Sequence, residues 1–319
     1  MDECCSELPV YMSCDDNYVV HLCTVIVSIL SNTKSQIHFI LLSSSLSEES
    51  KRIIAELCGS NKVSIIDIRP KLARCGTIDI RCSHISLDTC SRFFIPQLDF
   101  PYEKGIYLDC DVVVNGDIKE LFDIDLGENY AAAVDDFISK DYSAKLGIGR
   151  YFNAGVLLLN IAKMRSENAV EKILTALEKH GNTIKYADQD ILNLVFGGKV
   201  VFLPPHFGVV SPYFRGRKTK YFSKEEISAA IYNPLVIHFT GPDKPWVIPC
   251  GLTAHPWTPL YFHYLRQTPF AHKAAEYFRK FNALGKFFWY WKRHITFFLR
   301  PQFYSMRLLY LKNKRRFNP

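Results

Sequence analysis

The sequence predicts an α/β fold built on parallel strands with crossover helices. Short apolar runs alternate with amphipathic segments over the first 70 residues, and polar turns separate them. Hydrophobic residues make up 48% and charged residues 22% of the chain, the balance of a globular protein with a sizeable core. The length of 319 residues suits one large domain with an appendage, or two modest domains.

The N-terminal elements follow one another in strict alternation. Leu8–Ser13 is predicted as a short buried strand, and the polar run Cys14–Asn17 ends it. The next predicted elements are a helix, a strand, a helix that opens at acidic residues and stops before Gly59, and a third strand: Val19–Leu30, Ile37–Leu42, Ser47–Leu57 and Val63–Ile68. This spacing is typical of parallel strands joined by crossover helices.

The remaining pattern continues the same architecture to about residue 250. The predicted helices are Ser91–Leu98, Ala169–His180 and Asp188–Phe196. The predicted strands are Gly105–Leu108, Val112–Val114, Tyr130–Val134, Phe152–Asn160, Val200–Leu203 and Leu235–His238. Aromatic and basic residues take over near Cys250–Pro259, so we expect one domain over residues 1–250 and a separate C-terminal region over 251–319.

Cysteine usage and the N-terminus favour a reducing cytoplasm. The ten cysteines form no CxxC pair and no Cys/His cluster with zinc spacing, and several lie in apolar runs, as free core thiols do. Asp2 and Glu3 precede the first strand, with no basic, apolar leader. No stretch approaches the roughly 18 uncharged apolar residues of a spanning helix.

The net charge of +7 averages two different regions. Residues 271–319 contain twelve Lys and Arg against one acid, Glu276, which leaves the rest of the chain mildly acidic. The same tail is rich in aromatics, as in KFFWYWKRHITFFL (286–299). An interfacial element that offers rings and cations to anionic lipid fits this composition. A helical pair packing its aromatics on the domain is the structural alternative. Nucleic-acid binding is disfavoured because no RNA-binding motif accompanies an acidic body.

Asp109-Cys110-Asp111, at the end of an apolar strand, is the sharpest local motif. On a regular strand, residues i and i+2 share a face, so both carboxylates can converge on one cation. Two carboxylates beside a diphosphate would hold a hard divalent ion. A DxD is common by chance, but ligands of open α/β sheets bind outside the carboxyl ends of strands, where this one lies.

Five further segments accompany the DxD segment YLDCDVVVNGDIKELF (107–122) in a fixed order. They are CDDNY (14–18), SRFFIPQL (91–98), FNAGVLLLN (152–160), DQDILN (188–193) and HFTGPDKPW (238–246). Together the six segments resemble glycosyltransferase family 8, the retaining group that includes bacterial lipopolysaccharide and lipooligosaccharide glucosyl- and galactosyltransferases. The resemblance covers about residues 8–250. It implies the GT-A nucleotide-sugar fold, with a central mixed, mostly parallel sheet and here a helical C-terminal extension.

The resemblance also implies a metal site and a donor site. Asp109, Asp111 and His238 would hold Mn²⁺, with Mg²⁺ as the alternative. The structural alternative for His238 is a buried histidine at the end of a strand. The positions that would bind a UDP-hexose are Ser13, Asp15, Asp16, Asn17, Arg92, Asp109, Cys110, Asp135, Asn153, Ala154, Gly241 and Lys244. A turn and helix cap explain the acidic pair at 15–16 equally well, and Asp136 leaves the register of Asp135 open.

The resemblance places three residues at the reaction itself. Asp188 and Gln189 match the positions closest to the anomeric carbon, and Lys244 would meet the departing phosphate. Asp190 is expected to point away or to cap its helix, and Trp246 to pack its loop. Because an amide is a poor nucleophile, front-face attack is favoured over double displacement for a retaining reaction.

The predicted activity is therefore transfer of glucose or galactose from a UDP-sugar to an acceptor glycan in lipopolysaccharide-type synthesis. We expect the enzyme at the inner face of the cytoplasmic membrane, with a glycan or glycolipid acceptor. Two alternatives remain at this point. One is a glycosyltransferase that acts on a protein or glucosylates itself as a primer, and the other is a sugar-nucleotide-binding protein without catalysis.

Overall fold

The structure, a computed structural model, describes most of the chain. The described residues are 7–76, 87–138, 140–181, 183–214, 219–242, 244–250, 254–285 and 302–317. The aromatic and basic segment 286–299 lies outside them, as do Cys4, Cys5 and Cys82. The other seven cysteines are free thiols, and all except Cys250 are buried.

A seven-stranded sheet forms the centre of the described part of the chain. In spatial order its strands are β3 (Lys62–Asp67), β2 (Ile37–Ser43), β1 (Leu8–Ser13), β4 (Lys104–Leu108), β7 (Phe152–Asn160), β6 (Ala131–Asp135) and β8 (Val200–Phe202). All neighbours are parallel except β7, which runs antiparallel to β4 and β6. The prediction of a mixed, mostly parallel sheet is confirmed.

A small second sheet lies beside the large one and matters most for the site. Its order is β5 (Val112–Val114), β10 (Val236–His238) and β9 (Val209–Val210). The chain passes from the large sheet to the small one at residues 109–111, between β4 and β5. β10 pairs antiparallel with β5, so a strand near residue 237 returns to the end of β4.

The longer helices begin and end for the reasons that the sequence suggests. α1 (Val19–Asn32) follows the polar turn after β1. α2 (Glu48–Cys58) is capped by Ser47, whose hydroxyl accepts from the Ser50 N–H, and Gly59 ends it with φ +58°. The remaining helices are α3 (Arg69–Leu72), α4 (Lys119–Phe122), α5 (Lys140–Lys145), α6 (Ile161–Ser166), α7 (Ala169–His180), α8 (Ala187–Phe196), α9 (Ser211–Phe214), α10 (Lys224–Tyr232), α11 (Thr258–Leu265), α12 (Lys273–Gly285) and α13 (Gln302–Phe317).

Two kinds of element differ from the sequence prediction. The segment predicted as a helix at 91–98 is part of a longer 3₁₀ stretch, Leu87–Gln97, with Pro96 inside it. The short helices α3, α4, α5, α6 and α9 were not predicted, and neither was α10, which has nine residues. Four to six residues are too few to show a helical period, and tertiary contacts hold such short turns.

Alternating residues of the central strands divide the core into two layers. Val10 and Met12 of β1 face one cluster with α1, whereas Tyr11 faces the other, with the 3₁₀ stretch and α8. A third cluster joins the small sheet to the C-terminal helices, through Ile237 of β10 and residues such as Tyr261 and Leu309.

The C-terminal helices therefore pack on the domain, as the structural alternative predicted for part of the tail. Ala274 of α12 and Leu309 of α13 are buried in the cluster that contains Ile237. Asn313 of α13 donates to the Pro256 carbonyl at 3.0 Å. Removing everything after residue 270 would uncover this core. No helix in the described residues is long and apolar enough to cross a membrane.

Candidate active site

Asp109, Cys110 and Asp111 lie in the turn between the two sheets. β4 ends at Leu108 and β5 begins at Val112, so the aspartates do not share one continuous strand. The strand-face reason for their convergence is therefore wrong. Cys110 is buried and its thiol donates to the Ser13 carbonyl at 3.1 Å, which ties the turn to the end of β1. The thiol thus faces the interior, and the two carboxylates flank it.

His238 reaches these carboxylates through the register of the small sheet. In the β10–β5 ladder it pairs with Val112, the residue after Asp111. His238 Nε2 lies 3.0 Å from Asp111 Oδ1 and 3.8 Å from Asp109 Oδ2. The structure therefore brings together all three residues predicted as metal ligands.

Hydrogen bonds determine which nitrogen of His238 is protonated. Asn153 Nδ2 donates to Asp136 Oδ2 at 3.1 Å, and Asn153 Oδ1 accepts from the Gly155 N–H at 3.0 Å, which sets the amide orientation. His238 Nδ1 lies 2.9 Å from the same Oδ1, so Nδ1 carries the proton and donates it. In the neutral ring, the Nε2 lone pair then faces two anionic oxygens. A cation between them would relieve that repulsion.

The cluster fits a divalent metal ion by further criteria. One ligand atom from each of Asp109, Asp111 and His238 lies within 4.8 Å of the other two. Asp111 Oδ1 is buried and has no hydrogen-bond donor among the described residues. Gly155 leaves the space open, because a Cβ there would lie 2.5 Å from Asp109 Oδ2 and 2.8 Å from His238 Nε2. Two carboxylates and an imidazole are a donor set that suits Mn²⁺.

Lys244 reaches the cluster from the loop after β10. Its ammonium donates to Asp111 Oδ2 and to the Phe239 carbonyl. Burial acts to raise the pKa of Asp111, but the Lys244 ammonium outweighs it and holds that pKa well below its usual range. The loop turns at Gly241 with φ +80°, a conformation that favours glycine. Asp111 is therefore ionised, with an ammonium group beside it.

Arg92 connects the acidic cluster to Asp188, one of the residues predicted to lie near the sugar. Its guanidinium is 4% exposed, donates to Asp109 Oδ1 at 2.7 Å and lies 3.1 Å from Asp188 Oδ2. It also donates to the Ala154 carbonyl at 2.5 Å and lies 4.3 Å from the ring centre of Tyr107. A buried cation with two carboxylate partners holds both anions in place.

Asp188 is buried at the start of α8, next to a strained residue. Burial raises its pKa, Arg92 lowers it in part, and the result is a pKa of about 6. Ala187, immediately before it, has φ +45°, which an L-residue adopts only at a cost of about 1 kcal/mol. Such strain concentrates where a structure must present particular side chains. Here it lies directly before Asp188 and Gln189.

The amide of Gln189 is oriented by partners on both sides. Its Oε1 accepts from the Ala154 N–H at 3.0 Å, and its Nε2 donates to Asp136 Oδ2 at 2.9 Å. Tyr151 Oη lies 3.3 Å from Nε2 and donates its own proton to Asp190 Oδ1 at 2.5 Å, so it accepts from Gln189. Every polar group of this side chain therefore has a protein partner.

Asp190 supports this arrangement from the N-terminal end of α8. Its side chain is fully buried, and its Oδ2 accepts from Tyr142 Oη at 2.5 Å. The same Oδ2 accepts from the N–H groups of Lys185 and Tyr186, just before α8. Of the two expectations for Asp190, the structure agrees with the cap, because its carboxylate accepts from backbone N–H groups at the N-terminus of α8. Its position in the helix aims it inwards, at the turn that presents Gln189.

Two neighbouring aspartates at the end of β6, Asp135 and Asp136, have different surroundings. Asp135 is buried and paired with Arg150 through two contacts of 2.6 Å, and Arg150 stacks on Phe202 at 3.9 Å. Asp136 instead accepts from Asn153 and Gln189. The structure thus brings Asp136, not Asp135, to the predicted sugar-side residues.

The turn after β1 contains the residues predicted for the nucleoside. Asp16 accepts from the Ser47 N–H at 3.0 Å, which anchors the turn to α2 and lowers the pKa of Asp16. Asp15 accepts from the N–H of Tyr18 and from the Asn17 amide, both at 3.1 Å. The Tyr18 ring is 42% exposed above this turn. Ser13 donates to the Asp88 carbonyl at 2.7 Å.

Several residues of the site carry no individual signal in the sequence. Gly155 and Asn193 lie within quoted motifs, yet only the packing shows that one leaves room for the cluster and the other ties α8 to Phe152. In the sequence, Tyr107 cannot be distinguished from an ordinary aromatic residue of the core. Asp136 could have been found by treating the Asp-Asp pair as two candidates of equal weight.

The fold and the acidic cluster define a class of nucleotide-sugar-type α/β enzymes, and comparison with known proteins gives the family. Residues 9–248 match the sequence profile of "Glycosyl transferase family 8". The chain belongs to this family, and it is a glycosyltransferase.

Individual relatives agree with this membership. A putative glycosyltransferase of Haemophilus influenzae is 33% identical over 249 residues, which cover 76% of this chain and 74% of that one. A lipopolysaccharide 1,2-glucosyltransferase of Escherichia coli K12 is 29% identical over 73% of this chain and 70% of its own length. The galactosyltransferase LgtC, solved with donor and acceptor sugar analogs, superposes with a TM-score of 0.71 at 27% identity, covering 82% of this chain and 96% of LgtC.

Proposed function

We propose that the chain transfers glucose or galactose from a UDP-sugar to an acceptor glycan of the lipopolysaccharide type, with retention of configuration. The observation that carries the proposal is the meeting of Asp109, Asp111 and His238 with Lys244 at the carboxyl end of β4. The relatives named as glucosyl- and galactosyltransferases support a hexose.

The nucleoside would bind at the turn after β1. The exposed ring of Tyr18 offers a face on which a uracil can stack, and the exposed Asn17 amide and Asp15 carboxylate offer hydrogen bonds to uracil and ribose. Asp16 is already bonded to Ser47, so we assign it to holding the turn. The Cys110 thiol is directed inwards, so any donor contact at Cys110 is through its backbone.

The diphosphate would lie between this turn and Lys244. Asp109, Asp111 and His238 would hold Mn²⁺, which when bound neutralises the diphosphate and stabilises charge on the leaving oxygen. Asn153 positions His238 for this task through the bond to Nδ1. Lys244 would shift from Asp111 towards the β-phosphate as negative charge develops there, an interaction that strengthens in the transition state.

The hexose would face Asn153, Asp136, Gln189 and Asp188. The contacts of Gln189 explain why we favour front-face attack over a covalent intermediate. Its amide is a weak nucleophile whose oxygen already accepts from the Ala154 N–H, and Asp188 is buried against Arg92. We therefore assign both residues to holding the sugar, and the departing phosphate to accepting the proton of the acceptor hydroxyl.

We also propose that the enzyme acts at the inner face of the cytoplasmic membrane, with anionic lipid as its partner. Leu308 and Leu311 of α13 are 64% and 38% exposed, and the same side of the helix carries Lys312 and Arg315. Apolar side chains flanked by cations suit an interface with anionic headgroups. Sedimentation with anionic vesicles at low salt, lost at high salt, is the expected result. Equal binding to neutral vesicles would contradict it.

One experiment tests the activity directly. The protein is incubated with Mn²⁺ and each of several UDP-sugars, and release of UDP is measured with and without a glycan acceptor. We expect one hexose donor to be consumed, and Asp111→Asn to lose more than about tenfold of the rate, or 1.4 kcal/mol of barrier. An Asp111→Asn variant with full activity would refute the metal assignment. Covalent gain of hexose by the protein itself would favour a self-glucosylating primer.

A further inference from the structure

Aromatic residues from three helices pack together on one side of the loop that carries Lys244. The Trp246 ring stacks on His21 of α1 with centroids 3.7 Å apart and planes 22° from parallel. Tyr261 of α11 lies 5.3 Å from the Trp246 ring, and its hydroxyl is 2.7 Å from His21 Nδ1. Tyr277 of α12 lies 6.3 Å from the His21 ring. The C-terminal helices thus contribute to the packing of this loop.

The other end of the loop is anchored to the same helices. Ile248 is buried against Tyr310 of α13 and Phe281 of α12. The N–H groups of Val247 and Ile248 both donate to the Lys244 carbonyl, at 3.0 and 2.9 Å. Residues 244–248 therefore form one compact turn, and Trp246 and Ile248 fasten it to the C-terminal helices.

The chemical character of the stack suits a positional role. Burial lowers the pKa of His21 to about 3, so the imidazole is neutral at neutral pH and the stack with Trp246 is a packing contact. Lys244 places its ammonium at the end of a four-carbon stem, whose ordering costs up to about 2 kcal/mol of side-chain entropy. A firmly held main chain at Lys244 limits the positions open to that ammonium beside Asp111.

We propose that Trp246, His21 and Tyr261 are positioning residues for the transfer reaction. They hold the main chain of Lys244 so that its ammonium meets Asp111 and the leaving phosphate. The C-terminal helices then have a part in turnover that does not depend on membrane contact. This inference rests on the proposed role of Lys244.

A double-mutant cycle between Trp246 and Lys244 tests the inference. Trp246→Ala is expected to lower kcat about tenfold with a smaller change in the donor KM. In a Lys244→Met background the same substitution should change kcat less than about twofold, because the group it positions is gone. Trp246→Phe keeps a ring on His21 and should restore most of the rate. Val247→Ala is the matched control, since its side chain is 50% exposed in the same turn.

Each remaining outcome decides between the two proposals. If Lys244→Met is slow and Trp246→Ala costs the same factor in both backgrounds, the positioning inference is wrong and the role of Lys244 stands. If Lys244→Met turns over at the wild-type rate, the proposed function of Lys244 fails and the inference fails with it. Should Trp246→Ala not fold, Tyr261→Phe removes only the hydroxyl next to His21. It should lower kcat about threefold, and not at all in the Lys244→Met background.

Discussion

Two neighbouring parts of the site, linked through Asn153 and Asp136, differ in their hydrogen bonding. One is the cluster of Asp109, Asp111 and His238, and the other is the network around Gln189 and Asp190. In the cluster, Asp111 Oδ1 is buried without a donor among the described residues, and the Nε2 lone pair of His238 faces two carboxylates. In the network, both ends of the Gln189 amide have partners, and Asp190 accepts four hydrogen bonds.

The difference indicates which polar groups a bound ligand would satisfy and which ones the protein already satisfies with its own hydrogen bonds. A buried acceptor without a donor destabilises the fold until something supplies one. A fully bonded network resists displacement, so it holds side chains in a fixed geometry for catalysis. Substitutions on the two sides should therefore have different consequences.

The largest expected effect comes from a substitution that fills the space between Asp109 and His238. Gly155→Ala places a methyl group on His238 and Asp109, so we expect loss of Mn²⁺ binding and a fall in transfer rate of about 10³ or more. Calorimetric titration with Mn²⁺ measures the binding. Mn²⁺ at about 100 times its Kd should stabilise the wild-type fold by about 2.7 kcal/mol and leave the variant unchanged. Gly198→Ala is the control, because nothing lies within 4 Å of its Cβ position. Normal Mn²⁺ binding by Gly155→Ala would mean that the ion does not bind in the space beside Gly155.

Loss of the Lys244 charge comes next. Lys244→Ala should reduce kcat by about 10² to 10³, since the ammonium acts on charge that grows in the transition state. Steady-state kinetics with the donor separates kcat from KM. A raised KM with an unchanged kcat would instead mean that Lys244 binds the ground state and the transition state equally well.

Substitutions of Asp135 and Asp136, at the end of β6, should affect different properties: stability for Asp135 and activity for Asp136. Asp135→Asn leaves Arg150, whose side chain is 28% exposed, with a neutral partner, which we expect to lower the free energy of unfolding by about 2 kcal/mol. Asp136→Asn removes an acceptor of Gln189 and should slow transfer about tenfold at near-normal stability. Urea unfolding and kcat are measured on both variants. The reverse pattern would show that Asp135 is the sugar-facing residue.

A pH-dependent effect on stability is expected at Asp188. Its pKa of about 6 in the folded protein exceeds the ordinary carboxyl value, so the folded state binds the proton more tightly. The stability contributed by that proton is present at pH 4 and is lost as pH rises to about 6 and beyond, by up to about 3 kcal/mol. Urea unfolding of wild type and Asp188→Asn from pH 4 to 7 should show their difference shifting in favour of the variant. A constant difference would mean that the pKa is ordinary.

Local sequence predicts most of the central strands and the chemical inventory of the site. The strands β1, β2, β4 and β7 were predicted within a residue or two, because each is a short apolar run bounded by polar residues. The DxD turn, His238, Lys244 and the DQD segment could be singled out because their residue types suit a metal and a diphosphate.

Tertiary structure decides which of those groups meet. β6 has a register irregularity between Ala133 and Asp135, and a shift of one residue exchanges the faces of a strand. That is why Asp136 faces Gln189 while Asp135 turns to Arg150. The β10–β5 register brings His238 to Asp111, and Tyr261 of α11 packs against the partly buried ring of Trp246. Each of these depends on contacts between residues far apart in the chain, which no local period encodes.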